Sequence, residues 1–157
     1  MHKDMIMNVG RPAGIRLIMG VTLLNIALLI SGCTVKLISS YDEVTDKNVT
    51  ALQKKTESHF VSLESTEGLP ECNYKYHKKF YDEAKVDVSA ITVRAAAIPQ
   101  NEITTEQTEL LSKNLENLEK LHKIACLSKD QIAIVRKNFN SSFTAILKLE
   151  LAKKRGE

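Results

Sequence analysis

Tryptophan is absent from this 157-residue chain, and proline (three), cysteine (three) and glycine (six) are sparse. So few chain breakers argue against a strand-rich fold built on frequent turns and leave room for long helices. The cysteines form no Cys-x-x-Cys pair, which excludes thioredoxin-like redox chemistry and c-type haem attachment. There is no Gly-rich phosphate loop, no Gly-x-Ser-x-Gly elbow and no His-Glu-x-x-His. Charge is nearly balanced, +3 over the whole chain, so neither nucleic acid nor an acidic substrate is called for as a partner. No apolar run reaches the roughly 20 residues that span a bilayer.

The longest apolar run is Leu17 to Ile30, preceded by Lys3, Arg11 and Arg16 and followed by Ser31 and Gly32. A basic n-region, a short h-region and small residues make a secretory leader rather than a transmembrane helix. Asn25 in mid-run weakens the spanning reading further. Leu29-Ile30-Ser31-Gly32-Cys33 resembles the lipobox of bacterial lipoproteins. The resemblance implies cleavage before Cys33 and lipidation of Cys33. Multiple acyl chains on one residue anchor far more firmly than one. Thr34, not Asp, follows Cys33. In the resemblance this favours the outer membrane, with the chain facing the periplasm. The expected organisation is a signal peptide over 1–32, a lipidated tether over 33–40 and one helical domain over 41–157. Losing the leader cuts the net charge from +3 to +1, so most of the apparent basicity belongs to the leader.

Helical periodicity fills the rest. A first helix over about 42–66 carries Val49, Leu52, Thr56, His59/Phe60 and Leu63, with Ser40–Glu43 as a capping box or Asp42 as the cap. Gly68 and Pro70 mark a turn. A second helix over about 70–97 carries Tyr74, His77, Tyr81, Ala84, Val88, Ile91, Ala95 and Ile98, spaced alternately three and four as in packed seams. Pro99 ends it. Thr104–Gln107 reads as a capping box for a third helix bearing Leu111, Leu115, Leu118, Leu121/His122 and Ala125. Ser128–Gln131 is a third capping box. It opens a fourth helix with Ile132, Val135, Phe139, Ser142/Phe143, Ile146 and Leu149. Lys153, Lys154 and Arg155 fall in the last turn, where cations suit the dipole. Short connections predict an all-α, antiparallel, up-down-up-down four-helix bundle.

That topology puts Cys72 and Cys126 at one, membrane-distal end. An export leader implies an oxidising compartment, so a Cys72–Cys126 disulfide is expected. His59, His77 and His122 lie on or beside three apolar stripes at roughly 10, 10 and 6 Å from that end. With Glu119 one turn before His122, they form a candidate zinc or copper set; the plainer reading is three interface histidines with local hydrogen bonds. Glu119-x-x-His122 has no second copy, which excludes a ferritin-like di-iron site. Asp42, Glu43 and Asp46 suit a helix first turn, and Asp82, Glu83 and Asp87 a solvated salt-bridged face. The lysines between Tyr74 and Tyr81 are expected in solvent.

Tyr41-Asp42-x-x-Thr45-Asp46, Lys79-Phe80-Tyr81-Asp82-Glu83, Pro99-x-Asn101-Glu102-Ile103-Thr104 and Phe143-Thr144-Ala145-Ile146-Leu147 resemble small proteobacterial lipoproteins of largely uncharacterised activity. So does Leu149-Glu150-Leu151-Ala152-Lys153-Lys154. The resemblance implies a helical, exported chain and adds no mechanism. The sequence reads as a non-enzymatic envelope module, a scaffold, adaptor or immunity-type inhibitor with a protein partner. A metal-binding or metal-sensing protein using the histidines is the alternative.

Overall fold

Straight-chain and alanine residues dominate the segments between the few prolines and glycines, and each segment buries one apolar stripe. The computed structural model describes residues 38–156. Within them lie α1 (Glu43–Ser65), α2 (Tyr74–Ala97), α3 (Glu102–Ile124) and α4 (Lys129–Arg155), with a 3-10 turn over Pro70–Cys72. The leader, Cys33 and most of the 33–40 tether lie outside the described residues. Among the described residues there is no strand, and no helix is long and apolar enough to cross a membrane.

Both α1 and α3 pack against α2 and α4. The result is a four-helix bundle around one core. It runs from Val49, Leu52, Phe60 and Leu63 on α1 through Tyr81, Ala84, Val88 and Ile91 on α2. Leu111, Leu115 and Leu118 on α3 and Ile132, Phe139, Phe143 and Ile146 on α4 complete it. Burying a side chain of the size of Phe60 or Leu63 contributes about 1.5–3 kcal/mol. Phe60 meets Phe139 edge-on with ring centroids 5.6 Å apart, a favoured aromatic geometry.

The helix boundaries follow local chemistry. Asp42, not Ser40, caps α1: its carboxylate accepts from Thr45 N and Oγ1 and pairs with Arg94 of α2. Gly68 adopts φ 76° in the turn after α1, a conformation suited to glycine. α2 starts later than the expected Pro70. Pro70–Cys72 forms its own 3-10 turn, and the extended Asn73 caps α2 through Lys75 N. Ile98 is extended, as a residue before proline should be, and ends α2. α3 starts earlier than the Thr104–Gln107 box implies, at Glu102 after Asn101. Thr104 is buried and bonded across the bundle instead. Ser128 and Gln131 make the expected reciprocal capping box on α4.

The solvated-face expectation holds for Lys78–Asp82 and Lys79–Glu83. Asp87 and Glu83 also reach across to Lys55 of α1. Arg136 of α4 grips Glu64 of α1 through two hydrogen bonds, 2.7 and 2.8 Å.

Candidate functional site

Three imidazoles meet beside the connection between α1 and α2. His59 comes from α1, His77 from the second turn of α2 and His122 from the last turn of α3. Each occupies a position where the apolar stripe points inward. Ring centroids lie 5.1 Å apart for His59–His77, 5.2 Å for His77–His122 and 6.2 Å for His59–His122. All three rings are buried, His122 almost completely. Phe80 stacks on His59 at 3.7 Å. Spacing along the sequence placed these residues at similar depths; the structure brings the rings together.

The hydrogen bonds assign the protons. His122 Nε2 lies 2.7 Å from the Cys72 carbonyl, which can only accept. The ring therefore donates there, and its neutral Nδ1 accepts from the Tyr81 hydroxyl at 2.8 Å. Tyr81 Oη in turn accepts from His59 Nε2 at 3.3 Å. His77 Nε2 donates to the Glu71 carbonyl at 3.0 Å. The sense is continuous: His59 to Tyr81, Tyr81 to His122, His122 to Cys72.

Burial holds the three rings neutral. It pulls His59 down to about 3, reinforced by repulsion from His77 and His122. Burial also lowers His77 and His122, against the pull of their bonds to the Glu71 and Cys72 carbonyls. The same burial pushes the Tyr81 phenol well above its ordinary value.

Glu119 stands apart from the rings. Its carboxylate accepts from Tyr74 Oη at 2.7 Å, from Lys85 Nζ at 3.0 Å and from Lys123 Nζ at 3.0 Å. Burial alone would raise its pKa, but these donors outweigh burial and hold it at about 2. It is an anchor that is ionised at neutral pH and is bonded to Tyr74, Lys85 and Lys123 rather than to the imidazoles. The point on which His59 and His122 converge is filled by the Tyr81 hydroxyl oxygen. The other bonded nitrogens face backbone carbonyls. This arrangement favours a hydrogen-bonded cluster over a ligand shell. Among the described residues no group of three His, Cys, Asp or Glu has the geometry to hold a metal ion.

The cluster abuts the Cys72–Cys126 disulfide, whose Cα atoms are 5.5 Å apart, within the usual range for a bridge. Cys72 lies in the 3-10 turn and Cys126 just beyond α3. Closing a loop of this length contributes about 4 kcal/mol in the chain-entropy model.

A second buried polar network went unread in the sequence. Lys153, expected as a last-turn cation suited to the helix dipole, is buried at 4 % exposure beside Glu150 at 0 %. Its ammonium donates to Glu150 Oε1, Thr104 Oγ1 and Asn101 Oδ1. Thr104 Oγ1 also donates to Glu150, and the Asp42 amide donates to the other Glu150 oxygen. Ser39 joins through its hydroxyl to Asn101 and its amide to the Gln100 carbonyl. The last residues of the expected tether are thus pinned to the α2–α3 connection. The signal was present: Phe139, Phe143 and Ile146 are spaced four and three, and the next steps fall on Glu150 and Lys153, not on Leu149.

Compared with protein-family models, with curated proteins and with solved structures, the chain matches none of them.

Proposed function

We propose that the protein is a lipid-anchored, non-enzymatic helical module of the bacterial envelope that works by docking a protein partner. In this reading the leader is cleaved before Cys33, the lipidated Cys33 holds the outer membrane, and the domain faces the periplasm. The bundle is up-down-up-down with antiparallel neighbours. Three links support that topology: Asp42 before α1 with Arg94 late in α2, Glu67 after α1 with Lys129 opening α4, and Thr104 early in α3 with Glu150 late in α4. The Cys72–Cys126 bridge fits an oxidising compartment. The kinship with small proteobacterial lipoproteins belongs to the same proposal.

One observation carries the docking part. The outer face of α2 presents Val86, Ala90, Val93 and Ala97 to solvent, with Val86 69 % and Val93 68 % exposed. Their four-three-four spacing is that of a helix–helix seam, on a face that the bundle itself does not cover.

Two experiments test the reading. Cys33→Ala is expected to abolish acylation and release the chain from membranes; retention in the membrane refutes the anchor. A photo-crosslinking side chain at Val86 is expected to trap one protein species in living cells. The same group at Lys137 on α4 should not trap it, and Val93→Glu should lose it. Identical products from both positions refute docking through α2.

A further inference from the structure

The connection between α1 and α2 is held to the bundle at few points. Its internal backbone bonds are short-range, from Cys72 N to Leu69 O and from Asn73 N to Pro70 O. Leu69 is 53 % exposed, and Pro70 and Glu71 are exposed too. Glu67 pins its start to the Lys129 amide of α4; beyond that it is tied down by the disulfide at Cys72 and two imidazoles, His77 on the Glu71 carbonyl and His122 on the Cys72 carbonyl, with Tyr74 on Glu119 at the first residue of α2. Segments with little apolar burial open most readily.

We propose that His59, His77 and His122 form an acid-operated latch: below neutral pH their protonation releases residues 69–77 at the disulfide end while the rest of the bundle stays folded.

The hydrogen-bond order makes the closed state dependent on neutral rings. His122 Nδ1 accepts from Tyr81 only while unprotonated. A proton there turns the Tyr81 hydroxyl towards His59, which must then move its own proton to Nδ1 and accept at Nε2, so the Tyr81-linked pair has room for one added proton and not for two. A second proton anywhere in the cluster sits about 5–6 Å from the first, where like charges disfavour each other. The surroundings offer no rescue. From α3, Glu119 is held by Tyr74, Lys85 and Lys123. From α2, Asp82 is held by Lys78, with Lys85 beside it. From α1, Glu57 and Glu64 are held by Arg136 of α4, which sits over the Phe60 ring. From the turn itself, Glu71 contributes its carbonyl to His77.

The magnitude follows from linkage. His59 is neutral in the closed state down to about pH 3. Opened to water, a histidine titrates near 6.5. Each histidine that behaves this way multiplies the open-to-closed ratio about 30-fold between pH 7.4 and 5.0. The sign is fixed: closure is fully favoured above 6.5 and loses ground as pH falls towards the closed-state value.

Hydrogen exchange read by mass spectrometry on the full chain, at pH 7.4, 6.0 and 5.0 with correction for intrinsic rates, tests this. Peptides covering 69–77 are expected to lose protection by roughly 30-fold or more across the range, while those covering 111–118 keep theirs. Substituting His59→Phe, His77→Gln and His122→Gln together removes the titrating groups and should flatten the response. Unchanged protection over 69–77, or an equal loss across all four helices, overturns the latch in the native chain even if the variant fails to fold. A folded variant with the native pH response also overturns it.

Discussion

Lys153→Met isolates the buried network that ties α3, α4 and the start of the domain together. Methionine keeps most of the aliphatic stem and removes only the ammonium. The native ammonium has three acceptors, Glu150, Thr104 and Asn101. Its loss leaves the Glu150 carboxylate fully buried, with the Asp42 amide and the Thr104 hydroxyl as remaining donors. Breaking one side of a buried ion pair costs about 3–5 kcal/mol, whereas replacing both sides by apolar groups is often neutral. Domains of this size hold only about 5–15 kcal/mol in total, so the single variant should be visibly crippled. Equilibrium urea unfolding of the purified protein, followed by circular dichroism at pH 7.4, gives the numbers. Expected are a loss of about 3–5 kcal/mol for Lys153→Met and a comparable loss for Glu150→Leu. The double variant should be within about 1 kcal/mol of native, a large coupling on the double-mutant cycle. A single-variant loss below 1 kcal/mol, or a double variant equal to the sum of the singles, would refute the reasoning.

Other consequences are simpler to check. Replacing Cys72 and Cys126 with serine should lower stability by about 4 kcal/mol in the chain-entropy model; an unchanged urea midpoint would contradict it. Gln100 sits at φ 61°, and Gln100→Gly should raise stability by about 0.5–1 kcal/mol by relieving the left-handed backbone, read as a higher Tm. Below about 4.3, the unfolded value for glutamate, a carboxylate limb should add to the loss of stability that the buried histidines begin near 6.5. Glu119, held at about 2 in the fold, loses roughly 3 kcal/mol of stabilisation by the time it protonates, and Glu119→Gln should shrink that limb of the stability curve. Equimolar zinc should leave Tm unchanged, since the cluster's bonded nitrogens face Tyr81 and two carbonyls; a rise that vanishes in the triple histidine variant would restore the metal reading.

The stripes were legible because burial of apolar side chains repeats with the helix. Val49, Tyr81, Leu118 and Ile146 needed only spacing. The meeting of His59, His77 and His122 was readable as a shared depth but not as geometry, since ring direction depends on rotamers that Phe80 and Tyr81 impose by packing. The α3 start was misplaced because Thr104 and Gln107 have the residue types of a capping box. The fold uses Thr104 for Glu150 and Lys153 instead, a tertiary bond that no local window contains. Lys153 reads as a last-turn cation suited to the helix dipole, a local role that says nothing of its burial. Only the continuation of the Phe139–Ile146 spacing argued for burial, and it had to outweigh a strong residue preference.

The disulfide has a mechanical consequence. Residues 72–126 form a covalent ring that contains all of α2 and α3, while α1 and α4 are threaded to it only through single chain connections. A pull between Ser39 and Arg155 therefore loads the ties of Ser39 and Lys153 to Asn101 and its neighbours first and leaves the ring unbroken. A protease cut within 73–125 releases no fragment until the bridge is reduced. The molecule is a closed loop carrying two detachable arms, and the arm that enters from Ser39 is the one that would bear the strain of an anchor.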